Sequence, residues 1–192
     1  MRDYDRFAEH FDATRKNPWK EVIDYFGDLS ESSTVLDIGC GNGRHLAAAE
    51  KCGLNAVGLD ISKNLLKIAK RKAHIPLVIG DALRLPFKDC AFDNSICVAV
   101  VHHFKAEKER EKCMDEIARV TQKTGLVSVW ALEQEKFAAR KTQDIQLGWD
   151  KKHPRFYHLF REGELENLAQ NVRVKIEKSF RSGNNYWAVV EH

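Results

Sequence analysis

The most constraining feature of this chain is Thr34-Val-Leu-Asp37-Ile-Gly39-Cys40-Gly41-Asn-Gly43. This short apolar run breaks into three closely spaced glycines, and the Ala-rich helical pattern of residues 45–52 follows at once. Glycines between a strand and a helix N-terminus let the backbone turn sharply and approach a ligand without Cβ interference. Four further apolar runs, at 55–60, 76–80, 95–100 and 125–132, alternate with helical patterns, and Ser62 is placed to cap the helix built on Leu65, Leu66, Ile68 and Ala69. Strands that are apolar along their whole length, alternating with helices, predict a parallel sheet covered on both faces. The tail is different. A helix over 162–170 precedes two strand-like segments, 172–180 and 186–192, around Ser182-Gly183-Asn184, which reads as an antiparallel hairpin. Two helices open the chain, the second with Asn17 as N-cap, Pro18 in its first turn and Gly27 as its stop.

Composition narrows the classes. Of 192 residues, 43% are hydrophobic and 31% charged, enough for a core without disulfide or metal support. The net charge of +3 excludes a purely electrostatic nucleic-acid binder but leaves room for a local basic patch. The five cysteines are scattered and form no C-x-x-C pair, against a disulfide framework or a zinc site within this chain. The charged start and the lack of a long apolar run predict a cytoplasmic protein with no membrane span.

The glycine turn suits one kind of cofactor. A dinucleotide motif would place its third glycine one position later, and Asp37 beside the turn would repel a pyrophosphate. S-adenosylmethionine carries an ammonium and a sulfonium and no phosphate, so it fits an acidic mouth. Asp60 ends the second strand, where a carboxylate can accept both ribose hydroxyls. Asp81, after the third strand, is placed to accept from the adenine amino group. With Ile61, Ala82, Leu83 and Ala99 beside them, these residues form the expected cofactor site.

At this point the chain resembles the class I S-adenosylmethionine-dependent methyltransferases. The resemblance implies an α/β, Rossmann-like fold: a mostly parallel seven-stranded sheet in the order 3-2-1-4-5-7-6, closed by a C-terminal antiparallel hairpin, with helices on both faces. The expected organisation is one methyltransferase domain: N-terminal helices over 1–30, a cofactor-binding core over 34–133, a substrate loop over 134–160, and a helix and closing hairpin over 161–192. The acceptor is narrowed by what is missing. The segment after the fourth strand is Ala99-Val-Val-His102-His103, not the Asn/Asp-Pro-Pro-aromatic turn used on exocyclic nitrogens, and Cys97 lies inside an apolar strand rather than in a Pro-Cys loop. Oxygen or sulfur acceptors and small-molecule amines remain, and a small-molecule O-, N- or S-methyltransferase is the alternative reading.

A second resemblance is sharper. The stretches FDATRKNPW, AVVHHF, VWALEQ, RFYHLFREGELENL and SGNNYWAV are similar to the tRNA wobble-uridine 5-carboxymethyl methyltransferases. Members esterify a 5-carboxymethyl group on the first anticodon base, together with a small zinc-ribbon activator subunit. The resemblance implies Arg15 and Arg161 as carboxylate clamps and one of His102 and His103 ordering substrate or cofactor. Lys16, Trp19, Lys151, Lys152, Arg155, Tyr157 and His158 are the expected contacts to the anticodon stem-loop. Residues 136–161 hold seven Lys/Arg against two Asp, with Trp149, Phe156 and Tyr157 interleaved, a composition suited to unstacked bases on a charged surface. Trp130 and Trp187 read as core aromatics. The strand at 76–80 would be a sheet edge, open to pairing by the activator.

Overall fold

The structure is a computed structural model that describes residues 4–137, 140–148, 154–172 and 174–191. Its main sheet has seven strands: β1 (Thr34–Ile38), β2 (Asn55–Asp60), β3 (Leu77–Ile79), β4 (Phe92–Val98), β5 (Thr121–Trp130), β8 (Lys175–Ser182) and β9 (Asn185–Glu191). The order is β3-β2-β1-β4-β5-β9-β8. β1 to β5 pair in parallel, and β9 runs antiparallel to both β5 and β8. This is the order expected from the sequence. Consecutive residues explain why both faces are covered. Leu36, Cys97, Val127 and Ala188 enter one core, and their neighbours Val35, Ile96, Leu126 and Trp187 enter the other. Each of these residues is at most 1% exposed, and a fully buried aliphatic side chain contributes about 2 kcal/mol.

The helices α1 (Tyr4–Thr14), α2 (Lys20–Gly27), α3 (Arg44–Lys51), α4 (Lys63–Lys72), α5 (Glu107–Val120) and α6 (Glu164–Gln170) pack around the sheet. Ser62 caps α4 as expected, its Oγ accepting from Leu65 N–H at 3.1 Å. α1 is tied to the cap of α4, because Asp5 Oδ1 accepts from Ser62 Oγ at 2.7 Å and from Asn64 N–H at 2.8 Å. Asn42 Nδ2 donates to Asp12 Oδ1 at 2.7 Å and to the Arg15 carbonyl at 2.8 Å, fixing the end of α1 against the glycine turn.

Two expectations are corrected. α2 begins at Lys20, and its N-cap is Trp19 in an extended conformation, not Asn17. Extended backbone there sends the Trp19 ring edge-on against Trp187, with centroids 5.3 Å apart. The segment 134–160, expected to be irregular, contains an antiparallel pair, β6 (Asp144–Leu147) and β7 (Arg155–His158). Phe137, Ile145, Tyr157 and Leu159 form a small core of their own under this pair, against Trp130 and Leu132. Lys151, Lys152 and Trp149 lie outside the described residues. The expected edge is present: β3 has three residues, and Ile79 is 60% exposed. No helix among the described residues is long and apolar enough to cross a membrane.

Candidate active site

Parallel strands deliver their C-terminal ends to one edge of the sheet, where ligands of such folds bind. At the end of β1, the N–H groups of Gly39 and Cys40 both donate to the Leu59 carbonyl, at 2.7 and 2.9 Å. Gly39 has φ +74°, and a Cβ there would come within 2.4 Å of Val100 Cγ2. Only glycine fits. Asp60 closes the turn from the neighbouring strand, its Oδ2 accepting from Gly41 N–H and its Oδ1 from Ser62 N–H, both at 2.8 Å. Burial raises the Asp60 pKa, and these backbone donors work against the rise. Ala99, just after β4, is held at φ +60°, a conformation that costs a non-glycine residue about 1–3 kcal/mol and tends to cluster at functional sites. Its N–H donates to the Ser128 carbonyl at 3.1 Å.

These elements enclose a cavity partly open to solvent. Of the residues expected to hold the cofactor, Gly39, Cys40, Gly41, Asp60, Ile61, Ala82 and Ala99 line it. Arg15, Trp19, His102, His103, Arg155 and Tyr157 line it too. The cofactor and substrate candidates are therefore brought to one space.

Other candidates stand elsewhere. Gly43 is behind the lining, at the start of α3, where a Cβ would meet Ala69 Cβ at 2.8 Å. The Asp81 carboxylate is turned to its own backbone and accepts from Leu83 N–H at 2.9 Å, while Leu83 packs against the core. Lys16 borders an outer groove with Lys51 and Lys72. Arg161 is exposed at the start of the α6 region and does not line the cavity. His158 does not line the cavity: it is 7% exposed, with Nδ1 2.6 Å from Asp144 Oδ1 and Nε2 2.6 Å from Glu164 Oε1. Burial disfavours its cation, but the two carboxylates overcome that and raise its pKa. The residue latches the β6–β7 pair to α6.

The sequence reading missed Arg44 and Trp130. Arg44 lines the cavity as the first residue of α3, and burial and the nearby Arg15 pull its pKa down to about 10. Its position directly after the glycine turn was the available signal. Trp130, the last residue of β5, is half-buried; it packs against the small core under the β6–β7 pair, as a core aromatic would, and also lines the cavity, stacking on Tyr157 with centroids 4.6 Å apart and planes 7° apart. Trp187, by contrast, is fully buried.

The histidines are neutral. His102 is 1% exposed, and burial pushes its pKa well below the ordinary value. Its Nδ1 accepts from Trp130 N–H at 3.0 Å. The proton therefore sits on Nε2, which has no partner among the described residues. Burial lowers His103 to about 4.

Whether S-adenosylmethionine fits is decided by Asp37. It is 2% exposed at the end of β1 and is not among the residues lining the cavity, and its Oδ2 has no hydrogen-bond partner among the described residues. Burial, with the charge of Asp60 added, raises its pKa to about 8, and Arg44 opposes the rise. A buried acid with an unpartnered oxygen, beside a turn too tight for any Cβ, would be drawn to its charged form by a cationic cofactor.

Residues 36–129 match the methyltransferase domain family, and the chain is an S-adenosylmethionine-dependent methyltransferase. It is 33% identical, over 98% of its length and 93% of the relative's, to the tRNA (carboxymethyluridine(34)-5-O)-methyltransferase of Schizosaccharomyces pombe. The chain belongs to that family. The protein of the same name from Xenopus tropicalis is 30% identical over 98% of this chain, which spans only 40% of that protein's length. Among solved structures, a Haloferax volcanii methyltransferase in complex with the Trm112 methyltransferase activator shares the fold, with a TM-score of 0.80, 16% identity and coverage of 98% of this chain and 95% of that one.

A cationic cofactor seated near Asp37 would make its own binding proton-linked. The Asp37 pKa of about 8 leaves it largely protonated at neutral pH, and a bound cation favours the carboxylate. Binding at pH 7 therefore releases about one proton, and affinity rises with pH until it levels off above the pKa of free Asp37. Titration calorimetry in buffers of different ionisation heat measures that release. Its absence in the wild type, or its persistence in Asp37→Asn, contradicts the assignment.

Proposed function

We propose that this chain esterifies the carboxylate of 5-carboxymethyluridine at the tRNA wobble position, acting as the catalytic subunit of a cytoplasmic heterodimer. The observation carrying this reading is the convergence of Arg15, Arg44 and Arg155 on the cavity that the glycine turn and Asp60 also line. Three guanidinium groups in one partly closed space call for an anionic acceptor. A carboxylic acid is ionised at pH 7, since reference carboxyl values lie near 4. It is already the nucleophile, so no general base is needed. The buried, neutral state of His102 and His103 agrees with this, because both are held far below the pKa of a useful base.

Asp60, Gly39, Gly41, Ala82 and Ala99 would hold the cofactor, which when bound supplies an electrophilic sulfonium methyl. Arg15 and Arg155 would orient the acceptor carboxylate for in-line attack. The stacked Trp130 and Tyr157 rings offer a planar wall for the uracil, and the Nε2–H of His102 is an unspent donor beside it.

The activator reading is supported by the short β3 edge with its exposed Ile79 and by the Haloferax complex of the same fold. Five free cysteines agree with a reducing compartment. The test is transfer from labelled cofactor to two synthetic anticodon stem-loops, with a zinc-ribbon activator present. One carries 5-carboxymethyluridine at the wobble position and the other plain uridine. Transfer to the first alone is expected. Transfer to neither, or equally to both, contradicts the reading.

A further inference from the structure

Beside the catalytic cavity runs a second groove, and the two share the walls made by Trp19 and Trp130. We propose that this groove is a base-binding subsite for a nucleotide flanking the methylated uridine. The proposal rests on the functional reading above and extends it from the target base to its neighbour.

The chemistry of the lining points to a nucleobase. Beyond the two indoles, the groove is bounded by the amides of Gln134, Asn184 and Asn185. An amide offers both a donor and an acceptor, as does the edge of a base, and indole faces stack on any base. The Gln134 amide is held in place. Gln134 Nε2 donates to the Ala131 carbonyl at 2.7 Å and to the Asn184 carbonyl at 3.1 Å, which spends its hydrogens inside the chain and leaves Oε1 as an acceptor. Asn185 is only 6% exposed, and its Oδ1 has no hydrogen-bond partner among the described residues. Buried polar atoms without partners are rare and costly, so one at the wall of a groove is an acceptor awaiting a donor.

The groove is also built to keep its shape. Trp19 is braced edge-on by Trp187, and Ser182 Oγ is hydrogen-bonded to Glu21, which ties the end of β8 to α2. Glu21 lines the groove together with Lys20 and Lys136, so its indoles and amides can seat a base while the lysines meet the flanking backbone. A polynucleotide with one base in the cavity must place the next one step away, and a groove sharing two walls with the cavity lies within that step.

The test measures kcat/KM on anticodon stem-loops that carry the same target uridine and differ at one flanking nucleotide on either side. Selectivity is read as a ratio between two RNAs on one preparation, so it does not depend on the fraction of enzyme folded. The wild type is expected to discriminate about tenfold at one flanking position. Asn185→Ala is expected to collapse that ratio to within about twofold, and Asn184→Ala, at an exposed position, to narrow it. A wild type indifferent to both neighbours, or variants with an unchanged ratio, overturns the subsite. Failure to methylate any of the RNAs overturns the functional reading, and the subsite with it.

Discussion

Arg155→Ala is expected to lower kcat/KM for methyl transfer by about 10²- to 10³-fold while leaving cofactor affinity within about twofold. Arg155 belongs to β7, lines the cavity, and lies over the Tyr157 ring with its guanidinium carbon 5.5 Å from the centroid. On the proposed reading it meets the acceptor, whereas the glycine turn and Asp60 meet the cofactor. Lysine at this position keeps the charge but loses the planar two-donor fork that matches a carboxylate, so Arg155→Lys should recover only part of the loss. Arg15→Ala should behave alike. The double variant should lose less than the product of the two single effects, because both groups hold one anion. Steady-state kinetics alongside a direct cofactor titration separates the cases. A loss of cofactor affinity as large as the loss in kcat/KM would contradict the assignment.

The second large effect concerns Asp60. Its two oxygens accept from Gly41 N–H and Ser62 N–H, so Asp60→Ala strands two backbone donors and unlatches the glycine turn. It also removes the acceptor proposed for the ribose hydroxyls. Losing charged hydrogen bonds of this kind costs about 1.5–3 kcal/mol each, and the expected rise in cofactor dissociation constant is at least about 10²-fold. Asp60→Asn retains one good acceptor and should fall between the two. Titration calorimetry gives the affinity, and a thermal melt shows the accompanying loss of stability. An affinity within threefold of the wild type in Asp60→Ala would mean that the turn does not depend on this carboxylate.

The cofactor half of the site was legible because it is local and periodic. Each strand is apolar throughout, and the functional residues fall just past strand ends: Gly39 after β1, Asp60 ending β2, Ala82 shortly after β3 and Ala99 after β4. Such positions follow from strand boundaries alone. The substrate half was harder to read because it depends on an inserted pair whose strands are only four residues each, too short for an alternating pattern to stand out. Without that register, Arg155 and Arg161 look equivalent. With it, Arg155 and Tyr157 lie on one side of β7 facing the cavity, while His158 turns to Asp144 and Glu164. The cavity-lining role of Trp130 was missed because a tryptophan at the end of an apolar strand looks like core alone. What decides its role is that β5 ends beside the turn after β4, so that Trp130 N–H bonds to His102. The extended start of α2 was hidden for a similar reason: Asn17-Pro18 is a good helix-start signal, but packing of Trp19 on Trp187 moved the start to Lys20.

The central claim is that the guanidinium cluster serves esterification of a wobble-uridine carboxylate. Its most direct measurement is nucleoside mass spectrometry of tRNA containing 5-carboxymethyluridine, after incubation with this chain, a zinc-ribbon activator and methyl-labelled S-adenosylmethionine. The 5-carboxymethyl nucleoside is expected to be lost in equal measure to the appearance of its labelled methyl ester, and mild base to restore the acid. A label that appears on another nucleoside, or that withstands base, would contradict it.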